Sequence, residues 1–301
     1  MSAGRLARPS GVCIGSGAGR ENTGREHWEG VVTQMSEKSV KPAQAGATPV
    51  KKEEGWWETV KVIIEALLIA LVVRTLLFQP FNIPSGSLVP TLLVGDYLFV
   101  SKYAYGYSHF SLPGFLDLDP SAMPGRIFAS QPKRGDIIVF KLPSDNQTDY
   151  IKRLIGMPGD KIQVVHGRLI INGEMAPREQ IAPYPTVNHF GKPEEAPQYI
   201  ETLPNGVKHR IIQIDDDEGT FDNTKVYDVP PGHYFMMGDN RDNSSDSRIP
   251  ADQGGVGYVP FENLIGRGEI IFFSIREDTP AWEIWRWPWD VRWGRIFERV
   301  H

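Results

Sequence analysis

The sequence predicts a mainly β protein behind one N-terminal transmembrane helix. Two observations carry that prediction. From Val60 to Phe78 an apolar run is interrupted only by Lys61, Glu65, Arg74 and Thr75. After it, the pattern changes to short apolar stretches separated by Gly, Pro, Asn and Asp, the signature of strands and turns. The chain of 301 residues is 41% hydrophobic, enough for a folded core in one or two domains. A net charge of -5 leaves no basic footprint for nucleic acid, and no such partner is expected. The only cysteine, Cys13, sits in a Gly/Ser/Arg-rich stretch, which excludes a disulfide framework and a cysteine zinc site.

Residues 1–55 are small and polar without an apolar period, and read as a disordered tail. Met35 begins M-S-E-K-S-V-K-P, an ordinary protein start, and residues 1–34 are expected to be an over-extension. A helix needs ~20 apolar residues to cross the hydrocarbon, which the run within 56–79 supplies. Trp56 and Trp57 stand where an interfacial aromatic belt would lie. Lys51, Lys52 and Lys61 crowd its N-terminal side, so the positive-inside bias puts the tail in the cytoplasm and the rest outside. Q-P-F-N-I-P follows the run in place of a small-x-small cleavage site, which favours a retained anchor over a cleaved leader. Glu65 and Arg74 weaken the span. Arg74 can snorkel to the outer interface, whereas Glu65 needs a partner or a shallow position.

Strands are expected at Tyr97–Lys102, Asp136–Lys141 and Asp149–Ile155, with an irregular stretch at Tyr105–Lys133. Lys161–Val165 and Arg168–Asn172 read as a hairpin closed by His166 and Gly167. Residues 173–225 read as loop-rich, with a solvated acidic turn at Asp215–Glu218. Val226–Val229 and His233–Gly238 read as strand, turn and strand, and Gly268–Ser274 as a late strand. At the C-terminus, Trp282, Trp285, Trp289 and Trp293 recur at helical offsets, although Pro288 interrupts them. Residues 280–301 fit either a segment packed on the β region or an amphipathic element in the membrane interface.

Chemistry concentrates in F-N-I-P-S-G-S-L-V-P-T-L-L-V-G-D, Phe81 to Asp96, just after the apolar run. A serine hydroxyl needs a neighbouring base to become a nucleophile. The seven histidines fall mostly in tails, turns and loops, and no G-x-S-x-G elbow accompanies them. No H-E-x-x-H or comparable metal-ligand spacing is present, and no cofactor or metal is expected. The acidic run around Asp239–Asp246 departs from a calcium loop, with Arg241 third from Asp239 and Ser247 sixth from Asp242. Lysine remains. Burial disfavours the ammonium form, and Y-I-K-R-L-I-G sets Lys152 on one strand face with Tyr150 and Leu154. Arg153, on the opposite face, is free to take a nearby carboxylate.

Four blocks occur in order behind the apolar run: P-S-G-S-L-V-P-T-L-L-V-G-D, R-G-D-I-I-V-F-K, D-Y-I-K-R-L-I-G-M-P-G-D and G-D-N-R-D-N-S-S-D-S-R. Together they resemble the type I signal peptidases, the Ser/Lys leader peptidases, over roughly Phe81 to Ser274. The resemblance implies an antiparallel catalytic β domain from 80–162 and 230–279, with a smaller β-rich insert at 163–229. It implies Ser87 as nucleophile, Lys152 as general base, and an oxyanion hole from the Ser85 side chain and the Ser87 backbone N–H. Ser244 matches the serine that orients the lysine, and Asp246 and Arg248 the supporting acid and base. Phe81, Ile83, Leu92, Tyr150 and Ile151 fall where the family lines pockets for small side chains. The implied activity is endoproteolysis of secretory preproteins after a small-x-small motif, at the outer face of the bacterial plasma membrane, with membrane lipid as the second partner. Leu88 stands where the family most often has Met, a change of similar size, and one span is visible where some members have two. Two other readings compete: a membrane-anchored β-rich binding protein with an inactive Ser/Lys site, and a self-cleaving repressor, whose DNA-binding domain is missing here.

Overall fold

The structure, a computed structural model, describes residues 55–111, 125–187, 192–213, 219–279 and 282–300. The expected tail, the Met35 start and the acidic turn at Asp215–Glu218 lie outside the described residues. Helix α1 (Trp56–Leu76) leads into β1 (Phe78–Asn82), β2 (Asp96–Ser101), β3 (Ile137–Lys141), β4 (Asp149–Gly156), β5 (Lys161–Val165), β6 (Arg168–Ile171) and β7 (Glu174–Met175). Then come β8 (Arg178–Val187), β9 (Pro193–Thr202), β10 (Lys208–Ile212), β11 (Tyr227–Asp228), β12 (His233–Met237), β13 (Val259–Pro260), β14 (Leu264–Ser274) and the one-turn helix α2 (Trp287–Asp290). The first sheet has seven strands in the order β1-β2-β14-β3-β4-β12-β13. A four-stranded sheet, β11-β5-β6-β7, and a three-stranded sheet, β10-β9-β8, are built from the intervening chain. Every strand pairing in them is antiparallel.

The unbroken apolar run I-I-V-F in β3 follows from its place between β14 and β4, covered on both faces. Its alternate residues divide two cores: Ile137 and Val139 pack with Leu88, Leu92 and Leu98, while Ile138 and Phe140 pack with Leu154, Tyr234 and Met236. A third core joins the four-stranded sheet to the main one, where Ile162, Leu169 and Ile171 meet Phe235 and Met237. The β5–β6 turn has positive φ at both His166 and Gly167, the geometry of a type I′ hairpin turn.

Three expectations need correction. Helix α1 stops at Leu76, and Phe78 and Gln79 already belong to β1, so the helix does not fill 56–79. Among the described residues no helix is long and apolar enough to cross a membrane, because every 18-residue window of α1 holds at least three of Glu58, Lys61, Glu65 and Arg74. Residues 173–225 are not mainly loop: β8, β9 and β10 lie there, their period hidden by prolines and acidic side chains. Pro183 and Pro197 fall at the register shift between Ile181 and Tyr184, and β8 is an edge strand, both places where a strand tolerates proline. As expected, β11 and β12 flank a turn, and each pairs elsewhere: β11 joins β5, and β12 joins β4 and β13. Last, Trp282, Trp285, Trp289 and Trp293 share no helix. Only Trp287–Asp290 is α-helical, and the chain beyond it is tied to the main sheet by the bridges Ile275–Val291 and Ile270–Arg299.

Candidate active site

Ser87 lies in a single 3-10 turn, Gly86–Leu88, just after the edge strand β1. Leu88 and Leu92, buried in the core, pin the turn from below. From above, the Asn240 backbone N–H donates to the Ser87 carbonyl at 3.1 Å, and Asn240 Nδ2 donates to the Gly86 carbonyl at 3.2 Å. Lys152 sits mid-strand in β4, opposite Ile138 of β3. Its Nζ is hydrogen-bonded to Ser87 Oγ at 2.5 Å, and the two residues are only 4% and 6% exposed. Ser85 Oγ is 3.5 Å from Ser87 Oγ.

Burial lowers the Lys152 pKa to about 8, against the opposing pull of Asp246 and Asp239. Those carboxylates are themselves spent on arginines. Arg248 forks Asp246 at 2.9 and 2.8 Å, and Arg153 forks Asp239 at 2.7 and 2.7 Å. Arg153 thus takes the carboxylate its strand face allowed, and among the described residues the lysine beside it has no salt-bridge partner of its own. Gly238 shows how tightly the parts are set: a Cβ there would lie 2.5 Å from the Ser87 carbonyl oxygen and 2.5 Å from Ser244 Cβ. Ser244 Oγ is buried and has no hydrogen-bond partner among the described residues.

A cleft of about 500 Å³ opens over the pair, lined by Phe81, Ile83, Ser85, Tyr150, Ile151 and Asn243 among others. No histidine lines it. Leu92, expected in the pocket wall, is fully buried in the core beneath and does not line the cleft. Asp239, Asn240, Arg241 and Asn243 were missed by sequence reasoning as individual residues. The mixture of acid, amide and base in G-D-N-R-D-N was the only signal for them.

A buried serine hydroxyl hydrogen-bonded to a lysine amine with a lowered pKa is chemically able to act as nucleophile and base, and the sequence comparisons give the class. A family model described as signal peptidase, peptidase S26, matches residues 56–273, and the chain belongs to that family. Signal peptidase I of Rickettsia conorii (strain ATCC VR-613 / Malish 7) is 44% identical over 254 residues, covering 78% of this chain and 90% of its own. Signal peptidase I of Rickettsia akari (strain Hartford) is 39% identical over 268 residues, covering 83% of this chain and 93% of its own. A crystal structure of a signal peptidase I from Enterococcus faecalis V583 covers 46% of this chain and 97% of its own at 27% identity, with a TM-score of 0.25 that carries no argument about fold. This chain is therefore an enzyme, a hydrolase of the peptidase S26 family that removes signal peptides.

Proposed function

We propose that Ser87 is the nucleophile and Lys152 the general base of this signal peptidase, and that one observation carries the assignment: the buried 2.5 Å contact between Lys152 Nζ and Ser87 Oγ. With the amine neutral, its lone pair takes the hydroxyl proton as Oγ bonds to the scissile carbonyl carbon. The carbonyl oxygen becomes an oxyanion held by the Ser87 N–H and the Ser85 hydroxyl, each such donor worth about 2.7–4 kcal/mol in the transition state. Collapse breaks the C–N bond, the ammonium returns a proton to the leaving amine, and an acyl-enzyme remains on Ser87. Lys152 then deprotonates the water that releases the signal peptide. Ser244 orients the lysine through the packing around Gly238, and the Asp246–Arg248 pair holds the segment that carries Ser244. Carboxylates could serve as bases too, but Asp239 and Asp246 are locked into guanidinium forks.

The substrate is a secretory preprotein, bound as an added strand. β12 pairs with β4 only from Arg153 to Gly156, so among the described strands Asp149–Lys152 has β3 on one side alone. β1 offers a second open edge across the cleft. A strand between them would be held by backbone hydrogen bonds, with Phe81, Ile83, Tyr150 and Ile151 closing over side chains and admitting small ones. The seven-stranded sheet would serve as the catalytic domain and the strands between Gly156 and His233 as its insert.

Signal peptidases are membrane-associated, and although α1 is not apolar enough to count as a span on its own, it is the proposed membrane contact, with its N-terminus on the cytoplasmic side and the cleft outside. No residue of α1 is buried by the rest of the protein, and Ile63, Leu67, Leu68 and Ile69 are each at least half exposed. Its awkward Glu65 has a partner in Lys61 at 3.8 Å, one turn away, which lowers the cost of taking either charge into lipid. Trp282, Trp285, Trp289 and Trp293, all more than 60% exposed, are proposed as a second lipid contact. Replacing Ser87 or Lys152 by alanine should abolish precursor cleavage while leaving the circular dichroism unchanged. Near-normal cleavage by Lys152→Ala would remove the lysine from the mechanism.

A further inference from the structure

The segment Asp239–Arg241 touches both halves of the Ser/Lys pair. Asp239 forks Arg153, the neighbour of Lys152 on β4, and accepts from Thr91 Oγ1 at 2.5 Å. Asn240 holds the Ser87 and Gly86 carbonyls. What fixes this segment is not in the main sheet. Ile212, at the end of β10, donates its N–H to the Asp239 carbonyl at 3.0 Å and accepts from the Arg241 N–H at 3.0 Å. The Arg241 guanidinium reaches into the three-stranded sheet and forks Glu201 of β9, with Nη1 donating to Oε1 at 3.0 Å and Nη2 donating to Oε2. Both side chains are almost wholly buried.

Burial alone would push the Glu201 carboxyl up, but the Arg241 guanidinium beside it holds it below the ordinary range, so the fork is charged. His209, paired with Glu201 across β9 and β10, is kept neutral by burial with its pKa lowered to about 4. The two carboxylates of this cluster, Glu201 and Asp239, thus face two guanidinia, Arg241 and Arg153, in fixed pairs. A buried carboxylate on the smaller sheet that meets no residue of the cleft has little reason to face Arg241 unless it holds that segment.

We infer that Glu201 is a positioning residue for peptide cleavage: through Arg241 it sets the Asp239–Arg241 segment that aligns Lys152, by way of Arg153, with Ser87, by way of Asn240. The inference rests on the Ser87/Lys152 reading above. It separates chemistry from binding, because Glu201 does not line the cleft.

The test uses the full-length protein in detergent with a purified precursor. Glu201→Gln keeps the shape and removes the charge. Its kcat should fall at least tenfold per folded molecule, with KM within twofold of wild type. Because a lone buried Arg241 could also unfold the protein, the double variant Glu201→Met/Arg241→Leu removes both charges together. Its melting temperature should return to within a few degrees of wild type while kcat stays low. A wild-type kcat in Glu201→Gln, or one restored in the double variant, overturns the inference, and so does a change confined to KM. Ser87→Ala and Lys152→Ala run in the same assay: residual activity there would sink the Ser/Lys reading, whereas their inactivity beside a normal Glu201→Gln would sink only the role of Glu201.

Discussion

At the scale of single residues, burial lowers the Lys152 pKa more than any one charged neighbour does. In the folded protein Lys152 titrates near 8, whereas an unfolded lysine titrates near ~10.4. Between those values the unfolded chain binds the extra proton, so stability rises with pH across that window. Below 8 the folded state carries the full penalty, roughly 3 kcal/mol at about 1.4 kcal/mol per pH unit. Lys152→Met, similar in length and uncharged, should therefore be more stable than wild type by about that amount at pH 7. The gain should fade as the pH approaches 10, as urea melts at several pH values would show. Gly238 makes the opposite case. Gly238→Ala puts a methyl against the Ser87 carbonyl and Ser244, and should cost about 1–3 kcal/mol of stability and at least tenfold in cleavage rate, measured by melts and precursor assay. That Ser85, Ser87 and Lys152 come together was legible in the sequence because each sits in a motif with its own chemistry. Leu92 was misplaced because an apolar residue near a site reads the same whether it faces the cleft or the core.

At the scale of elements, strands with a covered face were legible and exposed ones were not. β3 declares itself by its run I-I-V-F and β4 by Ile151, Leu154 and Ile155, since both faces of the sheet are packed there. β9 buries only Ala196, Gln198 and Glu201, and its other residues include Glu194, Glu195, Pro197 and Tyr199, which mimic a loop. The fork between Glu201 and Arg241 could not be read at all, because it joins residues 40 positions apart. The C-terminal segment combines both cases. Arg295 Nη2 donates to the buried Asp96 carboxylate at 2.6 Å, so the backbone is tied down while the tryptophans point outward. Replacing Trp285, Trp289 and Trp293 by serine should cut association with anionic phospholipid vesicles several-fold, leave the melting temperature within a few degrees, and spare cleavage of a short soluble peptide. Unchanged vesicle binding in a flotation assay would exclude a lipid contact at these residues.

At the scale of the whole molecule, the fold brings two open strand edges and one buried lysine to the same cleft. Among the described residues nothing buries α1, so a protein beginning at Leu76 should fold, melt within a few degrees of the full chain and cleave a soluble peptide. It should be slower on a precursor embedded in vesicles, where the anchor no longer raises the local concentration. That all of this serves a lysine base is the central claim. The measurement that tests it most directly is the pH dependence of kcat/KM for a soluble peptide substrate, from pH 5 to 10. The account predicts a rate that rises with pH through an apparent pKa near 8, the neutral amine being the active form. A rise complete by pH 7, or a profile unchanged in Lys152→Ala, would contradict it.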